Sequence, residues 1–185
     1  MVNTHTKVIY PGLALLAVAF LSMMPPIGAA QSAKDSEEVS GFLAEAKTEA
    51  IQLKQDAEEM NSFVRSKTSW QTHAAKLDEI KQHVNKLGEL VAKMDSAKAT
   101  ASPWQRQSIN QVTPLLRDLA ASVTATIKHL SDNQNRLQYP PYPDYAAATA
   151  EYASDLSQLI SDYVAYGEAK HKTEDLERKL EVPGH

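Results

Sequence analysis

The 185-residue sequence contains no cysteine. This absence excludes disulfide bonds, thiolate metal sites, covalent haem attachment and a cysteine nucleophile. It also excludes a lipid-modified cysteine behind a signal sequence. Packing alone must therefore stabilise the fold, and a chain of this length is long enough to bury a sufficient core.

Glycine is also rare, with six residues in the chain, and no segment alternates apolar and polar residues with a period of two. We therefore predict no β-strands, and the abundance of Ala, Leu, Lys, Glu and Gln favours helix. The sequence has no glycine-rich phosphate loop, no G-x-S-x-G and no H-E-x-x-H motif. These absences predict a protein that is not an enzyme.

Charge of either sign is not clustered. All 23 acidic residues and every basic residue except Lys7 follow Gln31, with the two signs interspersed. Nucleic-acid binding needs a basic patch to neutralise phosphates, so we predict no nucleic-acid partner.

The first thirty residues differ from the rest. A start with one basic residue, Lys7, is followed by the apolar run VIYPGLALLAVAFLSMM and by two prolines. Gly28 and Ala30 then occupy the −3 and −1 positions of a cleavage site before Gln31. This layout predicts a signal peptide at 1–30, and therefore a periplasmic or secreted protein. We also predict no cofactor, because the histidines below do not form a ligand set.

Two alternatives concern the same segment. The stretch 8–30 is long enough to span a bilayer and could remain as an uncleaved membrane anchor. A second cleavage after Ala33 is also compatible with the sequence. In either case residues 31–185 form the predicted single domain.

Apolar residues after the signal segment recur at spacings of three and four, which indicates helices with one buried face. The first seam is Leu43, Ala46, Ala50, Leu53, Ala57, Met60 and Val64. The second is Leu77, Ile80, Val84, Leu87, Val91 and Met94. The third is Ile109, Val112, Leu116, Leu119 and Val123, with Ile127, Leu130 and Leu137 close to the same stripe. The fourth is Tyr145, Tyr152, Leu156, Leu159, Tyr163 and Tyr166, ending near Leu176 and Leu180.

Breaks between the seams predict helices near 34–65, 68–97, 103–137 and 144–181. The first two seams are out of phase, and Thr68 can cap a new helix with Gln71 at the capping-box position; one continuous helix is the alternative. Ser102 and Pro103 are a helix start, and the three prolines of QYPPYPDY exclude helix. Pro114 is expected to kink its helix without ending it.

Matched lengths and short connections predict an all-α fold, namely an antiparallel up-down four-helix bundle with coiled-coil-like seams.

The histidines are the candidate metal ligands. His73 and His83 are ten residues apart, about 15 Å along one helix, so they cannot share an ion within that helix. Glu79 and His83 have the spacing of an ordinary surface pair, and His73 lies on the second seam. We predict no metal site here.

His171 follows Glu168 in a single E-x-x-H pair, whereas di-iron bundles use two such pairs. A haem held by methionine and histidine is the alternative, with Met60, Met94 and His171 as candidates, although seam methionines are more often packing residues.

Six of the seven tyrosines follow residue 138. These rings can fill the interior of the bundle. Tyrosine is also common at interfaces, and the prolines of QYPPYPDY stiffen the loop, which lowers the cost of binding. Tyr139, Tyr142 and Tyr145 are therefore our candidate interaction loop.

The segments SPWQRQSINQVTPLLRDLA, HLSDNQNRLQ, LERKLEV and SFVRSKTSWQTHA resemble a family of small exported helical proteins of soil bacteria. The resemblance covers nearly all of the exported part. It implies one helical domain, and it implies no activity, ligand or catalytic residue.

The sequence thus predicts an exported, non-enzymatic bundle that acts by binding another protein or the envelope. A small periplasmic bundle carrying haem or a metal is one alternative. A chaperone-like envelope protein, which would need a large exposed apolar patch, is another.

Overall fold

The computed structural model describes residues 34–66 and 68–181. This part of the chain contains four α-helices and no strand: α1 (Glu37–Phe63), α2 (Trp70–Ser96), α3 (Pro103–Asp132) and α4 (Tyr142–Leu180). The all-α class and the number of helices are confirmed. The predicted signal peptide lies outside the described residues.

The predicted break between α1 and α2 is confirmed, but its cap is one residue later than expected. The Oγ of Ser69, not of Thr68, accepts the backbone N–H of Thr72 at 3.3 Å. Trp70 is consequently the first helical residue. Gln71 is the second, so it does not hold the third position that a capping box requires.

Helix α3 begins as predicted, with Ser102 as N-cap and Pro103 as its first residue, and it continues through Pro114. It ends at Asp132 and not near residue 137. The side chain of Asn133 donates to the carbonyl of His129 at 3.1 Å, which satisfies a carbonyl that the helix leaves free at its end. Leu137 is also buried, but it lies in the loop that follows α3.

Helix α4 begins at Tyr142, so the prediction that all three prolines of QYPPYPDY lie outside helix is wrong for Pro143. Pro143 occupies the first turn, where a backbone N–H has no intrahelical partner and its absence costs no hydrogen bond. The earlier prolines remain in the connection between α3 and α4.

Each helix packs chiefly on two others: α1 and α3 both pack against α2 and α4. The second predicted seam is buried completely, and the first is buried except for Val64 in the turn after α1. The third is buried from Ile109 to Val123.

The fourth seam is misplaced except at Leu156, which is buried as predicted. The buried face of α4 has the same spacing but combines small residues with larger ones. The small ones are Ala146, Thr149, Ala153 and Gly167, and the larger ones are Tyr142, Leu156, Ile160 and Val164. Tyr145, Tyr152 and Tyr163 are half-buried and Tyr166 is exposed. Helices α1 and α4 pack against each other and both bury alanines, and small side chains let helices approach too closely for rings between them. The tyrosines therefore lie on the flanks of α4.

Helix α4 has 39 residues against 27 in α1, so it is about 58 Å long where α1 is about 40 Å. No side chain of α4 is buried from Glu168 onward. Leu176 and Leu180, predicted to end the fourth seam, are exposed by 47% and 68%. The last turns of α4 thus contribute nothing to the core.

In the described part of the chain, none of the four helices combines the length and the apolar character that crossing a membrane requires.

Candidate functional site

The predicted interaction loop has one exposed ring. Tyr139 is 59% exposed, whereas Tyr142 is completely buried and Tyr145 is half-buried against the ring of His129, with centroids 5.5 Å apart. Tyr139 also borders a cavity of about 430 Å³ together with His129 and Arg136. A partner at this loop would therefore meet Tyr139, while Tyr142 belongs to the core.

Tyr142 and His73 form a buried pair between the starts of α4 and α2. The Tyr142 hydroxyl lies 2.9 Å from Nδ1 of His73, and the two rings meet edge to face. Burial lowers the pKa of His73 and raises the pKa of Tyr142, so both groups are neutral near pH 7. The sequence prediction that His73 lies in the bundle is confirmed.

His83 lies between two carboxylates of α1. Its Nδ1 is 2.6 Å from Oε1 of Glu49, and its Nε2 is 3.1 Å from Oδ2 of Asp56. Lys76 bridges the same Asp56 to Glu79. The hydrogen bond to Glu79 is the main reason that the pKa of Lys76 is raised, against the opposing effect of burial, with Glu59 and Asp56 adding to it. These groups join α1 to α2.

The remaining histidine candidate, His171, is half-exposed on α4, with Nε2 3.8 Å from a carboxylate oxygen of Asp35. The structure gives His73, His83 and His171 different partners. Within residues 34–66 and 68–181 no three His, Asp or Glu side chains are placed to hold a metal ion. Met60 and Met94, the haem-ligand candidates, are fully buried packing residues.

An open aromatic groove lies between α3 and α4. It has a volume of about 380 Å³, and its lining residues are Trp104, Gln107, Leu159, Asp162, Tyr163 and Tyr166. We call this the aromatic groove. The rings of Trp104 and Tyr166 meet edge to face with centroids 5.5 Å apart, and Tyr166 is 53% exposed.

Trp104 is fixed by a buried carboxylate. Its indole N–H donates to Oδ1 of Asp35 at 2.8 Å, while Nζ of Lys170 donates to Oδ2 at 2.9 Å. Burial opposes ionisation of Asp35, but the hydrogen bonds from Lys170 and Trp104, together with the charge of Lys170, lower its pKa overall. Asp35 is therefore ionised at neutral pH and holds the tryptophan and α4 together.

Gln105, next to Trp104, anchors the same region. Its Oε1 accepts the backbone N–H of Ser36 at 2.9 Å and that of Ser102 at 3.0 Å. Its Nε2 donates to the carbonyl of Ser36 at 2.8 Å and to Oγ of Ser40 at 3.0 Å. The buried amide is thus fully hydrogen-bonded and joins the start of α1 to the start of α3.

Gly167 makes room for the tryptophan. A Cβ at this position would lie 2.9 Å from the Cη2 atom of Trp104, closer than real carbon atoms approach. The indole therefore packs directly on the backbone of α4. Because Asp35 holds its polar edge and Gly167 its far edge, the ring has little freedom to move.

The sequence pattern does not predict this groove, because it places Tyr163 and Tyr166 in the core seam and gives Trp104 no role. The repeat of small residues in α4 could have indicated the groove. It marks a different face of α4 as buried, and Tyr163 and Tyr166 then lie beside that face.

The chain matches no protein-family model, no curated protein and no solved structure. The resemblance to exported helical proteins therefore stays a prediction.

Proposed function

We propose that this protein is an exported, non-enzymatic helical bundle that acts by binding another protein or a component of the cell envelope. The observation that carries the proposal is the aromatic groove, where Trp104, Tyr163 and Tyr166 form an open surface. Large rings supply much of the binding energy of interfaces, because they bury a large area for few rotatable bonds.

Rigidity of the groove supports the same proposal. Trp104 is held by Asp35 and Gly167, and the Tyr163 hydroxyl donates to Oε1 of Gln111 at 2.9 Å. Rings that are ordered before binding lose less conformational entropy when a partner arrives. A ring that remains open to solvent need not be held in place for the core to pack, so these contacts are better explained by a binding role.

Export is the second part of the proposal, and it rests on the layout of residues 1–30. The mature chain would begin at Gln31 or Lys34, close to Asp35, and function in the periplasm or outside the cell. The uncleaved anchor at 8–30 is the alternative. N-terminal sequencing of the envelope-associated protein distinguishes them, because a chain that retains Met1 contradicts cleavage.

We also propose that the helices follow an antiparallel up-down order, and three contacts support it. Asp35 and Ser36, before α1, contact Lys170 late in α4 and Gln105 at the start of α3. His73 at the start of α2 contacts Tyr142 at the start of α4. In this order α1 and α3 start at one end of the bundle, and α2 and α4 at the other.

Affinity capture from envelope extract tests the binding role. Wild-type protein is compared with Tyr166→Ala and with the matched control Tyr139→Ala, which removes a similarly exposed ring. Tyr139 lies before the first residue of α4, and Tyr166 is about 36 Å further along that helix. We expect the captured partner to be lost with Tyr166→Ala and kept with Tyr139→Ala. The reverse pattern would assign binding to the loop, and equal capture by all three proteins would contradict a role for the aromatic groove.

A further inference from the structure

The lining of the aromatic groove has one sign of charge. Three of its six residues are aromatic, one is the carboxylate Asp162, and none is Lys, Arg or His. The Gln158 amide donates to Oδ1 of Asp162 at 2.8 Å, which fixes the carboxylate and leaves its second oxygen for another partner. Aromatic faces carry partial negative charge, so rings and carboxylate together attract a cation.

Trp104 and Tyr163 direct their polar atoms to residues outside the lining of the groove. The Trp104 N–H is engaged by Asp35, and the Tyr163 hydroxyl is engaged by Gln111. Both rings therefore offer the groove carbon surface and not hydrogen-bonding groups. Apart from the Asp162 carboxylate, the Gln107 amide and the Tyr166 hydroxyl, the lining is carbon surface, which suits a cation that presents methyl groups and not N–H donors.

From this chemistry we infer that the aromatic groove binds the trimethylammonium group of a small quaternary-ammonium cation about the size of choline. Such a group has no N–H to satisfy, is weakly hydrated and is recognised by aromatic faces. A groove of about 380 Å³ holds a molecule of this size. Asp162 supplies the compensating charge, and it disfavours ligands with a net negative charge. The inference uses the site of the proposed function but adds a small ligand to it.

Titration of the full mature chain with choline chloride tests the inference, with the indole N–H resonance of Trp104 as the readout, assigned through Trp70→Phe. The control ligand is 3,3-dimethylbutanol, which has the same shape and no charge. We expect choline to bind about tenfold more tightly than this alcohol, the ratio expected for a cation over several rings. Equal affinity, or no shift of the resonance at about 10 mM choline, would overturn the inference.

Two variants locate the site. Tyr166→Leu removes an exposed ring and Asp162→Asn removes the charge at similar volume, and each should weaken choline binding about tenfold while helicity is unchanged. Tyr139→Leu is the matched control and should leave affinity unaltered. Equal losses in Tyr166→Leu and Tyr139→Leu, or binding to phosphatidylcholine vesicles without binding to free choline, would overturn the assignment. Choline binding does not depend on the captured partner, so either result can fail while the other stands.

Discussion

The indole N–H of Trp104 donates a 2.8 Å hydrogen bond to Oδ1 of Asp35, a residue 69 positions earlier in the chain. Asp35 lies just after the predicted signal segment, and its side chain is only 2% exposed. Lys170 of α4 completes the contact. The beginning of the described chain thus fixes the principal ring of the aromatic groove.

Replacing Asp35 by Ala should lower the free energy of unfolding by about 2 kcal/mol, because it removes charge-assisted hydrogen bonds and leaves their donors unpaired. The matched control is Asp95→Ala, which removes an exposed carboxylate paired with Lys98 within one helix turn and should cost less than about 0.5 kcal/mol. Urea unfolding measures both. Similar losses for the two variants would contradict a structural role for Asp35.

The same carboxylate should make stability depend on acid pH. Its pKa in the folded protein lies below the ordinary value of 3.8, so ionised Asp35 stabilises the fold above that pH, and the contribution is lost as the pH falls through the lower folded-state pKa. The difference in unfolding free energy between wild type and Asp35→Asn should therefore be largest near neutral pH and shrink below pH 3.8. A difference that stays constant between pH 7 and pH 3 would show that Lys170 and Trp104 do not favour the charged form.

Removing the Tyr142 hydroxyl should destabilise the bundle, because Nδ1 of the buried His73 loses its partner. We expect Tyr142→Phe to cost about 1–2 kcal/mol. Tyr139→Phe, on an exposed ring, should change stability by less than about 0.5 kcal/mol. Thermal or urea unfolding of the two variants provides the comparison, and a neutral Tyr142→Phe would mean that water replaces the hydroxyl.

Two glycines in helices should respond oppositely to alanine. At Gly88 a Cβ meets nothing within 4 Å, so Gly88→Ala should raise stability by about 0.8–1 kcal/mol through helix propensity. At Gly167 the new Cβ would collide with Trp104, whose position Asp35 fixes, and overpacking should outweigh propensity to give a net loss of about 1 kcal/mol. Unfolding curves and the Trp104 indole resonance report both effects. A stabilising Gly167→Ala would mean that the indole is free to shift.

The sequence predicts the buried face of a helix correctly where large aliphatic residues mark that face. Leu77 to Met94 and Ile109 to Val123 are core residues as predicted, because Leu, Ile and Val leave no other face of α2 and α3 comparably apolar. Helix ends were predicted less well, since a local side-chain bond, such as that of Asn133 to His129, decided where α3 stops.

The buried face of α4 and the aromatic groove did not follow from the sequence, for one shared reason. Alanine, threonine and glycine contribute little to an apolar pattern, yet close packing on α1 selects them for the core. The large tyrosines dominated the pattern and were assigned inward. Long-range contacts such as Asp35 to Trp104 depend on tertiary placement, which spacing along the chain does not encode.

Site-specific photocrosslinking in living cells tests the central claim most directly. A photoreactive phenylalanine derivative replaces Tyr166 in one strain and Tyr139 in another, so that both probes are exposed on the same fold. Our account predicts one discrete adduct with a protein or envelope component from position 166, and none of comparable yield from position 139. An adduct from position 139 alone, or no adduct from position 166 on the exported and folded protein, would contradict it.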